Sequence, residues 1–187
     1  MSFLKSEKRF HICHGGELRK KRKGRRARPL STRSSVHVVF KAEIKNLKSG
    51  LRSPKGFTIC QAILKRYAKY FHIKIEQQAV CRDHIHLLIR VQRRSLAQHF
   101  FRVVAGQIAQ KFEYEKLNVT DTLSIWRHRP FTRVVKGLRA WVTARDYVKL
   151  NEFEATGRIR YSPERLRGLS SAEWELLTGL RRRAAPG

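Results

Sequence analysis

The sequence is short of acidic residues. Its 187 residues contain 14 Asp and Glu against 42 Lys and Arg, which gives a formal net charge of +28. Such an excess of positive charge repels itself in a compact state, so it favours a polyanionic partner. Nucleic acid is the usual partner, because each phosphate that a protein neutralises releases condensed counterions and strengthens binding. The charge balance therefore predicts a nucleic-acid-binding protein.

Features of membrane and secreted proteins are also scarce. No apolar run approaches the ~20 residues of a membrane-spanning helix, and basic residues follow the N-terminus too closely for a signal peptide. An anionic membrane surface is the competing polyanion, but neither a lipid anchor nor an amphipathic helix accompanies the charge. Cys13, Cys60 and Cys81 are odd in number and far apart, which favours free thiols in a reducing compartment. We therefore expect a cytoplasmic protein without a membrane partner.

Basic residues are concentrated near the start of the chain, with almost nothing apolar between them. We predict that residues 1–35 form a flexible basic arm that lies on DNA phosphates, and a merely solvated tail is the alternative. Because the basic stretch itself carries no aromatic side chain, we expect it to hold the backbone rather than stack on bases. The arm residues assigned to DNA contact are Arg19, Lys20, Lys21, Arg22, Lys23, Arg25, Arg26 and Arg28.

Hydrophobic periodicity predicts one domain over residues 36–156. Alternation indicates strands at 36–40, 73–79 and 83–91, and helical spacing indicates helices at 57–71, 95–114 and 136–153. Residues 124–135 contain Pro130, which cannot donate to a ladder, so we expect an edge strand or an irregular hairpin there. A four-stranded antiparallel sheet with two helices on one face satisfies this order. Residues 157–187 are predicted to form a basic tail, with a short helix after a capping box at 170–173.

The segment 83–89, Asp-His-Ile-His-Leu-Leu-Ile, has the clearest chemical pattern. Residues two apart on a strand share a face, so His84 and His86 point to one side and the intervening apolar residues to the other. A sheet can present two imidazoles to a divalent metal in this way. Two ordinary sheet histidines are the alternative that the pattern leaves open.

Tyr147 is the second chemical feature. In the helix predicted at 136–153, Leu138, Trp141 and Val148 form an apolar stripe, and Tyr147 falls on nearly the opposite side at ~100° per residue. Asn151 lies one turn further on, on the side of Tyr147. A tyrosine hydroxyl can attack a phosphate that a divalent metal polarises, which yields a covalent phosphotyrosine. A surface tyrosine beside a surface asparagine is the alternative.

In combination, these residues resemble the single-tyrosine HUH transposases of bacterial insertion sequences, including the REP-associated tyrosine transposases. The resemblance covers roughly residues 30–157 and rests on segments 37–40 (His-Val-Val-Phe), 83–89, 126–133 and 147–151 (Tyr-Val-Lys-Leu-Asn). His84 and His86 match the histidine–hydrophobic–histidine motif of the family, and Tyr147 matches its nucleophile. Asn151 matches a polar helix residue that can complete the metal site, where the family commonly has glutamine.

The resemblance implies an α+β fold, a ferredoxin-like or RRM-like antiparallel sheet with helices on one face plus a C-terminal tyrosine-bearing helix. It implies Mg²⁺ or Mn²⁺ held by His84, His86 and Asn151, and single-stranded DNA as substrate, often with a hairpin near the cut. Tyr147 would form a 5′-phosphotyrosine and release a 3′ hydroxyl, so that strands are cleaved and rejoined. Some relatives are homodimers that share the tyrosine helix and others act alone. Arg133, in the segment 126–133, is a further predicted DNA contact.

Two rival functions remain open at this point. A non-catalytic, domesticated nucleic-acid-binding protein would fit the charge and the topology, since a fold does not fix a function. The strands lack the paired aromatics of RNA-binding RRM domains, which counts modestly against base stacking on the sheet. Another HUH enzyme, a replication initiator or a relaxase, resembles the same histidine motif but tends to be larger. If His84, His86 and Tyr147 share one cleft, the transposase is favoured.

Overall fold

The computed structural model describes residues 28–119 and 124–180. The strands are β1 (Ser35–Lys41), β2 (Lys74–Val80), β3 (His84–Arg90) and β4 (Phe131–Val135), and the helices are α1 (Pro54–Tyr70), α2 (Arg94–Tyr114), α3 (Leu138–Ala155) and α4 (Ser171–Thr178). Short 3-10 turns lie at Ile44–Asn46 and Arg165–Arg167. The predicted order of strands and helices is confirmed. Only the segment 124–135 differs strongly in extent, because its regular strand begins after Pro130.

The four strands of the described part of the chain form an antiparallel sheet in the order β2-β3-β1-β4. β1 pairs with β3 on one side and with the edge strand β4 on the other. β2 and β3 are joined by a tight turn, in which the Cys81 N–H donates to the His84 carbonyl at 2.8 Å. This order, with α1 and α2 as its crossover helices, is the ferredoxin-like α+β arrangement that was expected.

One face of the sheet forms the main core beneath α1 and α2. The side chains that β1 and β3 contribute to this core are at most 1% exposed. They are Val36, Val38, Phe40, Ile85, Leu87 and Ile89. From α2, Phe100, Val104 and Ile108 are completely buried against them. Each such side chain contributes about 1.5–3 kcal/mol when it leaves water. The predicted apolar face of the segment 83–89 is therefore the inner face of the core.

Helix α3 lies on the other face of the sheet, mainly against β2 and β3. Val148 packs there on Ala79 and Cys81, and all three side chains are buried. The predicted apolar stripe of this helix is partly wrong, because Leu138 is 76% exposed. Tyr147 lies off the apolar stripe, as predicted, and its ring contacts His86 on β3. The first turn of α3 extends past the packed region, and the sheet face below Tyr147 is polar rather than apolar.

Two partly buried carboxylates fix α3 at either end. Near its start, the Trp141 indole N–H donates to Glu76 on β2 at 2.9 Å. Near its end, Glu152 accepts from the Arg52 guanidinium at 2.8 Å and from the Val80 N–H at 3.3 Å. Hydrogen bonds to charged groups are the stronger ones in proteins. The segment of α3 between these anchors is therefore held at a defined position over the sheet.

The C-terminal segment packs on the outer side of α3. Leu150 of α3 forms a small buried cluster with Ile159, Leu169 and Leu177. Helix α4 begins with the predicted capping box, in which Ser170 accepts from the Glu173 N–H and Glu173 accepts from the Ser170 N–H. Residues 157–180 thus pack on the tyrosine-bearing helix, whereas the division of the chain into arm, domain and tail stays a prediction.

The described cysteines are buried and free. Burial raises the pKa of the Cys60 thiol to about 12, and burial followed by nearby carboxylates does the same for Cys81. Both thiols are therefore protonated near neutral pH and act as packing groups. Among the described residues, no helix is long and apolar enough to cross a membrane.

Candidate active site

The two histidines of β3 lie on the face of the sheet that α3 covers. Alternation along the strand turns Ile85 and Leu87 into the main core and His84 and His86 to the opposite side. The two imidazole rings are 4.6 Å apart between centroids and nearly perpendicular. His86 is 5% exposed, whereas His84 lies closer to solvent. The predicted pair therefore forms one cluster at the edge of a buried region.

Each of these histidines has its Nδ1 atom occupied by a partner. His86 Nδ1 lies 3.0 Å from Nε2 of His37 on β1, and His84 Nδ1 lies 2.5 Å from Oδ1 of Asp83. The other oxygen of Asp83 pairs with the Lys41 ammonium. Partners of this kind fix the orientation of a ligand histidine, because they determine which ring nitrogen carries the proton.

Burial determines the charge of His86 and of its partner His37 on β1. Burial, followed by the neighbouring His37, lowers the pKa of His86 well below its usual value. Burial and the positive charge of Arg133 lower the pKa of His37 to about 4. Both imidazoles are therefore neutral near pH 7. A neutral imidazole is the form that ligates a metal.

Tyr147 of α3 stands directly over the histidines. Its ring centroid is 5.5 Å from that of His86 and 6.1 Å from that of His37, and both pairs are edge-on. Residues that are distant in sequence are thus brought together within a single chain. The expectation that favours an enzyme joined His84, His86 and Tyr147; His86 lies beside Tyr147, and His84 reaches this group through its contact with His86.

Asn151 lies one turn beyond Tyr147 and is 5% exposed. Its amide nitrogen donates to the Tyr147 carbonyl at 2.6 Å, and its Oδ1 accepts from Arg165 at 3.0 Å. The side chain is therefore beside the tyrosine, as expected, but its oxygen is engaged by a cation. A carbonyl oxygen can accept two bonds, so a metal and Arg165 would share it.

Arg165 is a site residue that the sequence analysis missed. Its guanidinium carbon lies 5.2 Å from the Tyr147 ring centroid, and one nitrogen donates to both oxygens of Glu154 at 2.8 Å. Its φ is 58°, a left-handed conformation that is unusual for arginine. Its buried Nε has no hydrogen-bond partner among the described residues. No local pattern distinguishes this arginine, since only the packing of the tail on α3 carries it into the site.

His37 is the second residue without an assigned role in the sequence analysis. It lies on β1 opposite Leu88 of β3, two positions along the strand from Val39, which pairs with His86. The motif 37–40 contains it, but the contact depends on the register of two strands separated by 49 positions in sequence. Strand alternation with a correct pairing of β1 and β3 would have found it.

A cleft of about 920 Å³ opens between α3 and the strands β1 and β4. His86 and Tyr147 line it together with apolar side chains from the strands and helix. Its cationic lining residues are Arg133, Lys136 and Arg139. Arg133, which was predicted to contact DNA, therefore lies in the same cleft as Tyr147, the predicted nucleophile. A cleft with apolar walls and cationic groups suits a strand whose bases are unpaired and whose phosphates are charged.

Most of the predicted arm lies outside the described residues, namely Arg19, Lys20, Lys21, Arg22, Lys23, Arg25 and Arg26. Arg28 is described, and its guanidinium lies over the Phe101 ring of α2 at 5.1 Å. Burial and the nearby Arg129 lower its pKa. Arg28 therefore fixes the end of the basic run to the folded domain, and its role in DNA contact stays a prediction.

The chain belongs to the family of IS200-like transposases, because the sequence model of that family matches residues 31–151. The match contains His84, His86, Tyr147 and Asn151, but it ends before Arg165. The protein is therefore a transposase of an insertion-sequence family. No curated protein is similar enough to be matched.

Two solved structures are similar to this chain. A REP-associated tyrosine transposase bound to a REP hairpin is similar over 87% of this chain and 92% of that chain, with a TM-score of 0.57 and 13% identity. A protein of Deinococcus radiodurans R1, described as a candidate transposase, shares 12% identity over 69% of this chain and 98% of that chain, with a TM-score of 0.44. The first similarity confirms the ferredoxin-like architecture.

Proposed function

We propose that this transposase cleaves and rejoins single-stranded DNA with Tyr147 as its nucleophile. The observation that carries the proposal is the position of the Tyr147 ring, 5.5 Å from His86, over a cleft that also contains Arg133. A tyrosine packed as a structural residue would not need to face buried polar side chains. The geometry instead joins a nucleophile, a pair of imidazole side chains and a cationic cleft.

We infer that His84 and His86 hold Mg²⁺ or Mn²⁺ through Nε2, with Asn151 Oδ1 as the third protein ligand. The chemistry of the donor set fits, because both Nδ1 atoms have partners that favour the Nε2 lone pair for a metal. No group of three or more His, Cys, Asp or Glu side chains suited to a metal occurs in the described ranges, so an amide oxygen is needed. When bound, the metal polarises the phosphate and offsets the charge that develops on it.

The proposed reaction exchanges one phosphodiester for another. The Tyr147 oxygen attacks phosphorus and forms the Tyr–O–P bond, while the bond from phosphorus to the 3′ oxygen breaks. The phenol proton is lost and the departing 3′ oxygen gains a proton, so a 5′-phosphotyrosine and a 3′ hydroxyl result. Attack by another 3′ hydroxyl on the phosphotyrosine reverses these steps and rejoins a strand. The stored phosphodiester makes an external energy source unnecessary.

The residues around the tyrosine orient these groups. The Arg165 guanidinium lies over the Tyr147 ring and donates to Asn151, so it holds the nucleophile and the proposed ligand at a fixed distance. Fixed orientation matters because a displacement of about 1 Å at a reacting group can cost about a hundredfold in rate. Arg165 is in this view a positioning residue.

The proposed DNA has an unpaired strand in the cleft and a hairpin beside it. A hairpin is supported by the REP hairpin bound to the structurally similar transposase. The basic arm would add phosphate contacts without sequence preference, which lowers the dissociation constant most at low salt. A homodimer stays a prediction, and the proposed site does not require one, because one chain supplies all of its residues.

The test is covalent capture of DNA. Labelled single-stranded DNA that carries the ends of the element would be incubated with Mn²⁺ and analysed on a denaturing gel. We expect a protein–DNA band with the wild type and with Tyr114→Phe, an exposed tyrosine at the far end of α2. We expect no band with Tyr147→Phe or without the metal.

Tight DNA binding without a covalent band, on either strand of the element, would contradict the proposal. That result would favour the non-catalytic nucleic-acid-binding protein. Binding of Tyr147→Phe should nevertheless equal that of the wild type, since only one hydroxyl is removed. A parallel binding measurement therefore separates loss of chemistry from loss of substrate.

A further inference from the structure

Several element ends meet at one end of the sheet, which we call the basic end and define by Ser35, Lys74, Arg90 and Val135. Lys74 pairs with Arg90, and Ser35 pairs with Val135. α1 ends shortly before Lys74, α2 begins shortly after Arg90, and α3 begins shortly after Val135. The end of α1 and the starts of α2 and α3 therefore surround the same edge of the molecule.

Acidic side chains are depleted at the basic end. α1 contains no Asp or Glu, and the acidic residue of α2 is Glu113 near its far end. Glu76 is close to the basic end, but its carboxylate already accepts from Ser35, Trp141 and Arg90. The surface at this end is therefore left with unbalanced positive charge, which attracts a polyanion.

Aromatic rings form a platform at the junction of α1 and α2. The aromatic platform consists of Tyr67, Tyr70, Phe71 and His99. Tyr70 contacts Phe71 edge-on at 4.8 Å, and His99 lies parallel to Phe71 at 6.4 Å. Tyr70 is 71% exposed although it is a large aromatic side chain. The platform therefore presents a supported ring to solvent instead of burying it.

Cations flank the aromatic platform. The Arg66 guanidinium lies 5.5 Å from the Tyr67 ring centroid, and Arg102 donates to His99 at 3.2 Å. Lys69 and Lys74 are exposed on either side of Tyr70 in sequence. Exposed aromatic rings between cations are the features that bind unpaired nucleic acid, since the rings stack on bases and the cations contact phosphates.

Part of the lining of the catalytic cleft lies at the same end of the molecule. Its lining residues Lys136 and Arg139 lie at the start of α3, next to Val135 of the basic end. The basic arm joins the domain nearby, because Arg28 contacts Phe101 and Arg94 in the first turns of α2. A strand that leaves the cleft past Arg139 would therefore cross the basic end on its way to Tyr70.

We propose that an unpaired DNA strand leaving the catalytic cleft stacks a base on Tyr70 of the aromatic platform. This is a second single-strand site on the α1–α2 side of the sheet, separate from the histidine cluster. The inference rests on single-stranded DNA as the substrate, as proposed above. The proposal explains why Tyr70 is exposed and why acidic side chains are scarce at the basic end.

The experiment compares two exposed tyrosines in a Tyr147→Phe background, which prevents cleavage. Tyr114 is the matched control, because it is 74% exposed and lies at the other end of α2 between Glu113 and Glu115. Fluorescence anisotropy would measure the dissociation constants of a labelled mixed-sequence single strand and of the same strand annealed to its complement. Circular dichroism and thermal melting would verify that each variant is folded.

We expect Tyr70→Ala to raise the dissociation constant of the single strand at least about fivefold, the lower limit for loss of one base–aromatic stack. Tyr70→Phe should retain wild-type affinity, because the ring remains. Tyr114→Ala should leave the dissociation constant of the single strand unchanged. Neither Tyr70→Ala nor Tyr114→Ala should weaken binding of the duplex. A bromodeoxyuridine-containing strand should photo-crosslink to Tyr70 and not to Tyr114.

Equal affinities of Tyr70→Ala and Tyr114→Ala would overturn the proposal. An equal loss for single strand and duplex would also overturn it, because that pattern indicates phosphate contact rather than stacking. If the single strand does not bind the parent Tyr147→Phe protein at all, the proposed function fails as well. If it binds but is indifferent to Tyr70, only the platform proposal fails.

Discussion

The two faces of the sheet differ in how completely helices cover them. On the α1–α2 face, Val38 and Leu87 are completely buried in a continuous apolar core. On the α3 face, the helix packs closely on β2 and β3 but has few contacts with β4. The cleft opens in the part that α3 leaves uncovered, and His86 lies at its boundary. The difference shows that one sheet supplies stability on one side and an accessible site on the other.

The largest expected effect is on activity and concerns the α3 face. His86→Ala should abolish the covalent adduct and the Mn²⁺-dependent rise in melting temperature, because it removes a proposed ligand. Its free energy of unfolding should fall by about 1–3 kcal/mol, because the mutation leaves the ring of His37 without its partner. The control is His128→Ala, at an exposed position. If His86→Ala keeps its response to Mn²⁺, the proposed metal site is wrong.

The largest effect on stability should come from the other face. Phe100 is completely buried between α2 and the sheet. Phe100→Ala should lower the free energy of unfolding by about 3–5 kcal/mol, because it leaves a cavity in a packed core. Urea denaturation monitored by tryptophan fluorescence measures this change. A loss below about 1 kcal/mol would mean that the core tolerates cavities and that the two faces differ less than their packing indicates.

Glu76 of β2 anchors α3 to the sheet, so it affects both the stability of the fold and the face that carries the site. Burial acts to raise its pKa, but hydrogen bonds from Ser35, Trp141 and Arg90 outweigh burial and lower it below its usual value of 4.5. Glu76→Gln should therefore lower the free energy of unfolding at pH 7 by about 1–3 kcal/mol.

The effect of Glu76→Gln should depend on pH. A carboxylate with a lowered pKa stabilises the fold above its unfolded-state pKa, and this contribution is lost as the pH falls through the folded-state pKa. The difference between wild type and Glu76→Gln should thus be constant above about pH 5.5 and shrink below pH 4.5. Urea denaturation at several pH values measures it. A difference that grows on acidification would contradict the assigned hydrogen bonds.

The smallest expected effect tests Arg165 as a positioning residue. Arg165→Lys keeps the charge but loses the planar group that reaches Glu154 and Asn151 together. Cleavage under saturating DNA should slow about tenfold while the dissociation constant of DNA stays unchanged. Arg167→Ala, at an exposed position on the same 3-10 turn, serves as control. Full activity of Arg165→Lys would show that charge alone is needed.

The sequence predicts the fold well because most of its signals are local. Alternation in the segment 83–89 identified both the core face and the histidine face of β3, and helical spacing located α1 and α2. The orientation of α3 was less predictable. Its two sides are covered by different partners, the sheet and the C-terminal segment, so a single apolar stripe does not describe it. Leu138 was misplaced for that reason.

The motif residues of the candidate site could be predicted from the sequence. The residues that contact and orient them could not. His84, His86 and Tyr147 are recognisable from pattern and resemblance, and the structure brings them together. His37 depends on strand register, and Arg165 depends on how the tail returns to α3, so no local pattern reveals either contact. The aromatic platform likewise arises only when the end of α1 meets the start of α2.

The most direct test of the central proposal is to identify the residue that becomes linked to DNA. The covalent adduct formed with Mn²⁺ would be digested with nuclease and protease and analysed by tandem mass spectrometry. The account predicts a nucleotide phosphate on the tyrosine of the peptide that contains Tyr147. A nucleotide on Tyr161, the other aromatic side chain beside Arg165, or on any residue outside the cleft would contradict it.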